Sequence, residues 1–354
     1  MFRPRGGEGD MGEEYPLLFN RANAGNLRIM RDRISGRVVA HVGLCFQTIM
    51  IFGAKIPVVE VGAVYTLPNF RGQGLATKLM HDAVAHSRRS GAALMLVSGG
   101  RGLYRRLDCV DTGKFWRYRV DRPSSLTMVR FGALSRSVKI RRATERDLPT
   151  LVAMYRREPV RFVRPMRDAR RLWKADRLMN AKCWFWIVER NREPVAYLGH
   201  TSMWEGKTKP KRVLPVLEIA GDRNGVAAAL PHLFSHTEAD ALSVIGYGYD
   251  EELAGALKKY PREPQEFWGT VKVLDAARLT RCLRGRFLRA MKVRAGADWV
   301  EYRLGTETVS LIGASDVTRG VFGGRGGEED CHWPPTMLRG IFPIPLVWYG
   351  WNYI

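Results

Sequence analysis

Residues 58–80 read VVEVGAVYTLPNFRGQGLATKLM, and the fold turns on how this stretch is parsed. A β-branched apolar run stops at Pro68, two glycines follow in a basic loop, and then the apolar period changes. Leu75, Leu79, Met80, Ala83 and Val84 recur at i, i+4, i+5, i+8 and i+9, one face of a helix. Arg88, Arg89 and Gly91 supply its stop signal. A strand, a glycine turn and a helix together make an anion site. The first N–H groups of a helix lack an intrahelical acceptor, and the aligned peptide dipoles leave partial positive charge there. Gly72 and Gly74 remove the Cβ atoms that would hold a pyrophosphate off the backbone, and Arg71 adds a full charge. Neither GxxxxGK[ST] nor GxGxxG is present. A plain glycine turn before a helix is the competing reading of the same pattern.

Working outward, residues 27–64 predict an antiparallel meander: NLRIMRD, the turn ISGR, the long RVVAHVGLCFQTIMIF, the turn GAKIP, then VVEVGAVYT. Downstream, AALMLVS (92–98) predicts a buried strand, GGRGLYRRL a short helix and KFWRYRV (114–120) an edge strand. Periodicity lapses over 121–138. A strand and a helix then begin afresh, with Thr144 and Asp147 spaced as a capping box. CWFWIVERNREPVAYLGHTSMW and VLPVLEIAGDRNGVAAALPHLF repeat the earlier plan of strand–turn–strand, then strand–glycine–helix. From 269 the pattern is strand, amphipathic helix, hairpin and short helix, ending in the apolar IFPIPLVWYGWNYI. MFRPRGGEGDMGEE reads as unstructured.

The 354 residues suffice for two or three domains, and 45% hydrophobic with 26% charged residues is the balance of a folded chain. The five cysteines are scattered without a CxxC pair, which fits a reducing cytoplasm. No secretory signal or membrane-spanning run is expected, so no membrane partner either. Net charge is the outlier at +22, carried by 57 basic residues, 44 of them arginine. That attracts polyanions and phosphorylated ligands. The even scatter of the charges favours a solvated basic surface over a dedicated nucleic-acid patch. His81, His86 and the trio Cys331-His332-Trp333 lack the spacing of a metal site, so no metal is expected.

VGAVYTLPNFRGQGLATKLM resembles the acetyl-CoA-binding motif of the GCN5-related N-acetyltransferases (GNAT). The family signature R/Q-x-x-G-x-G/A is met by Arg71-Gly72-Gln73-Gly74-Leu75-Ala76. The resemblance implies acetyl-CoA as cosubstrate. Main-chain groups of Val64, Tyr65 and Thr66 would pair with its pantetheine arm. The pyrophosphate would sit on N–H groups from Gly72 through Gln73, Gly74, Leu75 and Ala76 to Thr77. Ser98 and Gly99, at the end of the next strand, would also contact the cofactor. The family carries a tyrosine near the cofactor sulfur, a place that Tyr104 fills. A phenol, with a reference pKa of about 10, keeps its proton at neutral pH and can give it to a departing thiolate. A half-buried helix aromatic is the alternative role.

The whole chain resembles the enhanced-intracellular-survival branch of that family. The fold class it implies is α/β (α+β): tandem GNAT-type mixed sheets flanked by helices, and a small C-terminal α+β domain like a sterol carrier protein. Boundaries fall at 1–130, 131–268 and 269–354. In the second copy, Gly221-Asp222-Arg223-Asn224-Gly225-Val226 lacks the signature and sets Asp222 where an anion would be repelled, so that copy reads as non-catalytic. In this branch the terminal carboxylate enters the active site as general base, a role that falls to Ile354. The aromatic tail could equally plug a core. Members begin with a strand and helices that shape the acceptor pocket, whereas only residues 1–25 precede the first expected strand here. The implied reaction moves acetyl to a primary amine of an aminoglycoside, polyamine or lysine. The implied assembly is a ring-like homohexamer. The rival reading is a non-catalytic GNAT fold that binds nucleic acid or another polyanion.

Overall fold

The computed structural model describes residues 10–122, 138–202, 204–205, 212–324 and 334–354. Cys331-His332-Trp333 and most of the 121–138 boundary lie outside them. Two compact units emerge. One comprises 1–113, 266–347 and Ile354, and the other comprises 114–265 and 348–353.

In the first unit, one mixed sheet runs in the order β1 (Leu27–Arg31), β2 (Val38–Ile51), β3 (Ala54–Thr66), β4 (Leu94–Val97), then strand Thr270–Val273. β2 and β3 form a long hairpin. Its turn, Phe52-Gly53, has φ of +46° and +88°, the doubly left-handed geometry that matches strand twist. The turn is therefore tighter than the GAKIP loop expected from sequence. β3 and β4 run parallel and are joined through helix Leu75–Arg89, whose buried face carries Leu79, Met80 and Ala83. These pack with Val42, Leu44, Val59 and Val61 of the sheet. Burial of a side chain the size of Leu79 or Met80 contributes about 2 kcal/mol. Thr270–Val273 extends the sheet antiparallel to β4, a pairing across more than 170 residues. Strands Lys292–Ala295, Trp299–Leu304 and Glu307–Ile312 form a separate antiparallel sheet. The stretch expected to be unstructured includes one helical turn, Met11–Glu14, capped where the Asp10 carboxylate accepts from the Gly12 N–H.

The second unit holds a larger mixed sheet ordered Arg262–Glu266, Lys114–Asp121, Ala241–Tyr247, Arg212–Gly221, Glu193–Thr201, Ala181–Arg190, Val138–Arg142. Lys114–Asp121 is thus an interior strand rather than the edge strand its alternation suggested. The capping box is present: Thr144 N–H and Oγ1 both donate to Asp147 Oδ2, at 2.8 and 2.9 Å. Helix Arg223–Leu233 covers the sheet, burying Val226, Ala229, Leu230 and Leu233 with Leu198, Val216 and Val244.

A buried ion pair anchors the C-terminal segment within this unit. Arg164 donates from Nη1 and Nη2 to the two Glu218 oxygens at 2.9 Å each. Arg164 Nε donates to Asn352 Oδ1 at 2.8 Å. Glu218 also accepts from the Tyr197 hydroxyl at 2.7 Å and from the Trp351 N–H at 2.8 Å. Every lone-pair direction of a desolvated carboxylate is thereby occupied, which such a pair requires to be tolerated. Removal of one partner strands the other. We predict that Arg164→Ala lowers the unfolding free energy by about 3–5 kcal/mol. Glu238→Ala, which breaks an exposed pair with Arg212, costs under about 1 kcal/mol. Urea denaturation of the two variants checks the contrast.

Candidate active site

β3 and β4 pair from Val58–Leu94 to Val61–Val97. There β4 ends, while β3 continues to Thr66. Among the described residues, no strand lies beside that flank of β3 from Gly62 to Thr66. The strand bulges where it leaves its partner. Its register against β2 shifts between Tyr65–His41 and Gly62–Gly43, Ala63 takes φ +50°, and His41 Nδ1 bonds the Ala63 carbonyl at 2.8 Å. A bulge turns the local backbone out of the sheet.

The glycine loop adjoins this flank. Gly72 and Gly74 have φ of +78° and +72°, and a Cβ added at either would meet no atom within 4 Å. Both conformations suit glycine, and the space in front of them is open. Gly74 is the N-cap of helix Leu75–Arg89, and no side chain caps that terminus. Residues 71–74 are exposed. Arg71 donates from Nε to the Thr66 carbonyl at 3.2 Å, with its guanidinium 6.0 Å from the Tyr65 ring centre. Together these elements enclose a cavity of about 430 Å³ lined by Val64, Tyr65, Thr66, Arg71, Ala76, Arg101 and Leu103. Five of the residues expected to bind cofactor are therefore brought together. Gly72, Gln73, Gly74, Leu75 and Thr77 belong to the adjoining loop and first helical turn. Ser98 and Gly99 lie just past β4, outside the lining, where Ser98 Oγ reaches the Val61 carbonyl at 3.5 Å. Arg101 and Leu103 were missed. The basic, glycine-flanked RGLYRRL was their only signal.

Tyr104, on helix Gly102–Arg105, is buried with Leu79, Val97 and Leu107. Its ring edge is 3.4 Å from where a Gly99 Cβ would lie. Ile354 is buried too. An ideal Cβ on Gly62 would be 3.1 Å from the Ile354 carboxyl oxygen and 3.3 Å from its carboxyl carbon. The chain end thus abuts β3 at the residue where β3 and β4 part.

Among the acids near the motif in sequence, Asp108 pairs with Lys272 at 2.9 Å and Asp111 with Arg105 at 2.6 Å. Glu60 differs. It is buried two residues before Gly62, on the same strand face. Gln47 Nε2 donates to its Oε2 at 2.5 Å, and its Oε1 has no partner among the described residues. Burial pushes its carboxyl well above the ordinary value of 4.5, against the smaller opposing effect of the Gln47 hydrogen bond. Burial therefore favours the neutral form of Glu60. No group of three or more His, Cys, Asp or Glu side chains is placed to hold a metal among the described residues, and no described helix is long and apolar enough to cross a membrane.

The second unit presents the same junction in a different state. Strands Arg212–Gly221 and Ala241–Tyr247 pair in parallel from Val213–Ala241 to Val216–Val244 and then part. The Trp351 N–H bonds Glu218 of one strand, and the Trp348 N–H bonds the Tyr247 hydroxyl of the other at 3.0 Å. At the following helix start, Asp222 accepts from the Asn224 and Gly225 N–H groups at 3.1 and 3.2 Å, and Arg190 pairs with Asp222 at 2.7 Å. Its amides already hold an anion of their own.

The raised value of Glu60 has a stability consequence. Above about pH 4.5 the unfolded chain loses a proton that the folded chain keeps, so stability falls as pH rises from there toward the folded-state value. Glu60→Gln lacks this decline. We expect its urea midpoint to gain on that of the parent chain between pH 5 and pH 7.5. Parallel curves across that range would mean that Glu60 is ionised when folded.

Comparison with known proteins bears on the first unit and on the fold. Residues 9–110 match the model of the acetyltransferase (GNAT) domain. A search of curated protein sequences found no match. Among solved structures, the chain is similar to a GCN5-related N-acetyltransferase from Anabaena variabilis ATCC 29413, with TM-score 0.56, 12% identity, and coverage of 84% of this chain and 79% of that one. It is also similar to Eis1 from Mycobacterium abscessus (TM-score 0.55, 14% identity, 86% and 82% coverage). A GCN5-related N-acetyltransferase from Kribbella flavida follows (TM-score 0.51, 17% identity, 78% and 70% coverage). At such identities the likeness establishes fold. The match to the acetyltransferase (GNAT) domain model covers residues 9–110, within the first unit.

Proposed function

We propose that the chain transfers acetyl from acetyl-CoA to a primary amine within a ternary complex, by an arrangement like that of the enhanced-intracellular-survival acetyltransferases. The observation that carries this reading is the uncapped, glycine-opened start of helix Leu75–Arg89 beside the bare flank of β3. The bare amides from Gly72 to Thr77 would hold the diphosphate, with Arg71 and Arg101 adding charge at the cavity wall. Main-chain groups of Val64, Tyr65 and Thr66 would hold the pantetheine arm as a neighbouring strand would. Acetyl-CoA supplies the activated acyl carbon, and the residues of this chain position the amine and move its protons.

Ile354 would supply the carboxylate that receives the amine proton. A terminal carboxylate with a reference pKa of about 3.5 is a weak base toward an ammonium, so it acts through water or by fixing the amine. Tyr104 would return a proton to the leaving thiolate. Its burial suits a donor kept out of bulk water. The second unit would be a structural copy, because Asp222 caps the amides that a diphosphate would need. Acceptors would be polycationic amines such as aminoglycosides, polyamines or lysine side chains, and assembly would be homo-oligomeric.

Thiol release from acetyl-CoA, followed with a panel of amines, tests the activity. Replacing both Gly72 and Gly74 with valine should weaken CoA binding at least tenfold, a difference of about 1.4 kcal/mol. A chain ending at Tyr353, or carrying Tyr104→Phe, should bind CoA as before and lose about a hundredfold in turnover. No heat on titration with CoA, together with no thiol release with any amine, would reject the reading. CoA binding without turnover would reject only the catalytic roles.

A further inference from the structure

The second unit carries a cavity that acetyl transfer does not use. It measures about 860 Å³, within the range of small-molecule sites. Among the described residues, it lies past the end of helix Arg223–Leu233, beside Trp186 of the core that this helix covers. Trp184 and Trp186, two residues apart on strand Ala181–Arg190, present one face. His200 is the register partner of Trp184 on the neighbouring strand, and their rings stack at 5.4 Å with planes 18° apart. His236, just beyond the helix, sets its ring 4.7 Å from that of Trp186. All four side chains line the cavity.

Two polar atoms in this wall have no partner among the described residues: His200 Nε2 and Trp186 Nε1. Both residues are more than nine-tenths buried, at 3% and 8% exposure. His200 Nδ1 bonds the Thr201 carbonyl at 2.9 Å, so Nδ1 bears the hydrogen and Nε2 offers a bare lone pair. Burial pushes this imidazole down to about 4, which keeps it a neutral acceptor near pH 7. Trp186 Nε1–H can only donate. A buried acceptor and a buried donor left unmade cost stability, and here they flank aromatic walls. At the mouth, Arg142 is exposed, with its guanidinium 6.0 Å from the Trp184 ring centre. It forms no ion pair among the described residues, whereas its neighbour Arg141 is committed to Asp147 and Glu189.

We infer that this cavity binds a flat nitrogen heterocycle with an anionic arm. The ring would stack on the Trp184–His200 wall, offering an N–H to His200 Nε2 and a carbonyl or ring nitrogen to Trp186 Nε1. The anionic arm would reach Arg142.

Inosine 5′-monophosphate presents such an edge and arm, with inosine as the arm-less probe and ribose 5-phosphate as the ring-less one. Calorimetry and tryptophan fluorescence on the full chain should report binding of inosine 5′-monophosphate with quenching. Ribose 5-phosphate should bind at least tenfold more weakly. His200→Phe keeps the stacking surface but removes the acceptor, and should weaken the nucleotide about tenfold, the loss of one well-made hydrogen bond. Arg142→Ala, at an exposed position that leaves the core untouched, should weaken the nucleotide and not inosine. The inference is overturned if inosine 5′-monophosphate gives neither heat nor quenching. It is equally overturned if ribose 5-phosphate binds as tightly, or if the nucleotide's affinity survives Arg142→Ala.

Discussion

The amides that open an α-helix have no partner inside it, and what meets them separates the two halves of this chain. At Gly74 no side chain does so among the described residues: the N-cap is a left-handed glycine without a side chain to turn back on the helix. At Asp222 the chain satisfies its own amides with a carboxylate, held in turn by Arg190. The topology up to each junction is shared, a strand parting from a parallel neighbour before a covering helix. One residue type at the cap decides whether the positive end of the dipole stays available to an external anion. Net charge strengthens the first case but does not create it, since charge scattered over a surface attracts anions without orienting them.

The second constraint is the parting of β3 from β4. Backbone groups on an exposed strand flank seek partners, and β3 leaves such a flank from Gly62 to Thr66. The chain end meets β3 at Gly62, a position where a Cβ would crowd the Ile354 carboxyl group. In the second unit the corresponding parting is spanned by Trp348 and Trp351, with Arg164 and Glu218 buried behind them. Ile354 follows Trp351 by three residues in the same aromatic tail. The burial of Trp348, Tyr349 and Trp351 fits the reading of that tail as a core plug.

Much of the site was legible because it is local. The glycines, the proline and the change from a period of two to one near 3.6 all fall within residues 58–80, and each acts through its own backbone. The capping box at Thr144 was legible for the same reason. What escaped was set by distant pairing. Lys114–Asp121 alternates like an edge strand, yet Arg262–Glu266 and Ala241–Tyr247 flank it on both sides. Thr270–Val273 reads as the start of a new domain, yet its hydrogen bonds go to β4. Glu60 was visible as an acid near the motif, but the upward shift of its carboxyl depends on burial by residues remote in sequence. Arg101 and Leu103 join the cavity only because β4 stops short. The paired tryptophans and histidine of the second unit gave no signal beyond alternation, since their meaning lies in register across two strands.

The amides from Gly72 to Thr77 are the proposed seat of a diphosphate. Hydrogen exchange at single-residue resolution, with and without CoA, addresses them directly. The predicted result is slowed exchange at Gly72, Gly74 and the first turn of helix Leu75–Arg89, with no change at Asn224 and Gly225, whose amides Asp222 already holds. Unaltered exchange from Gly72 to Thr77 under saturating CoA, or protection confined to the second unit, would contradict it.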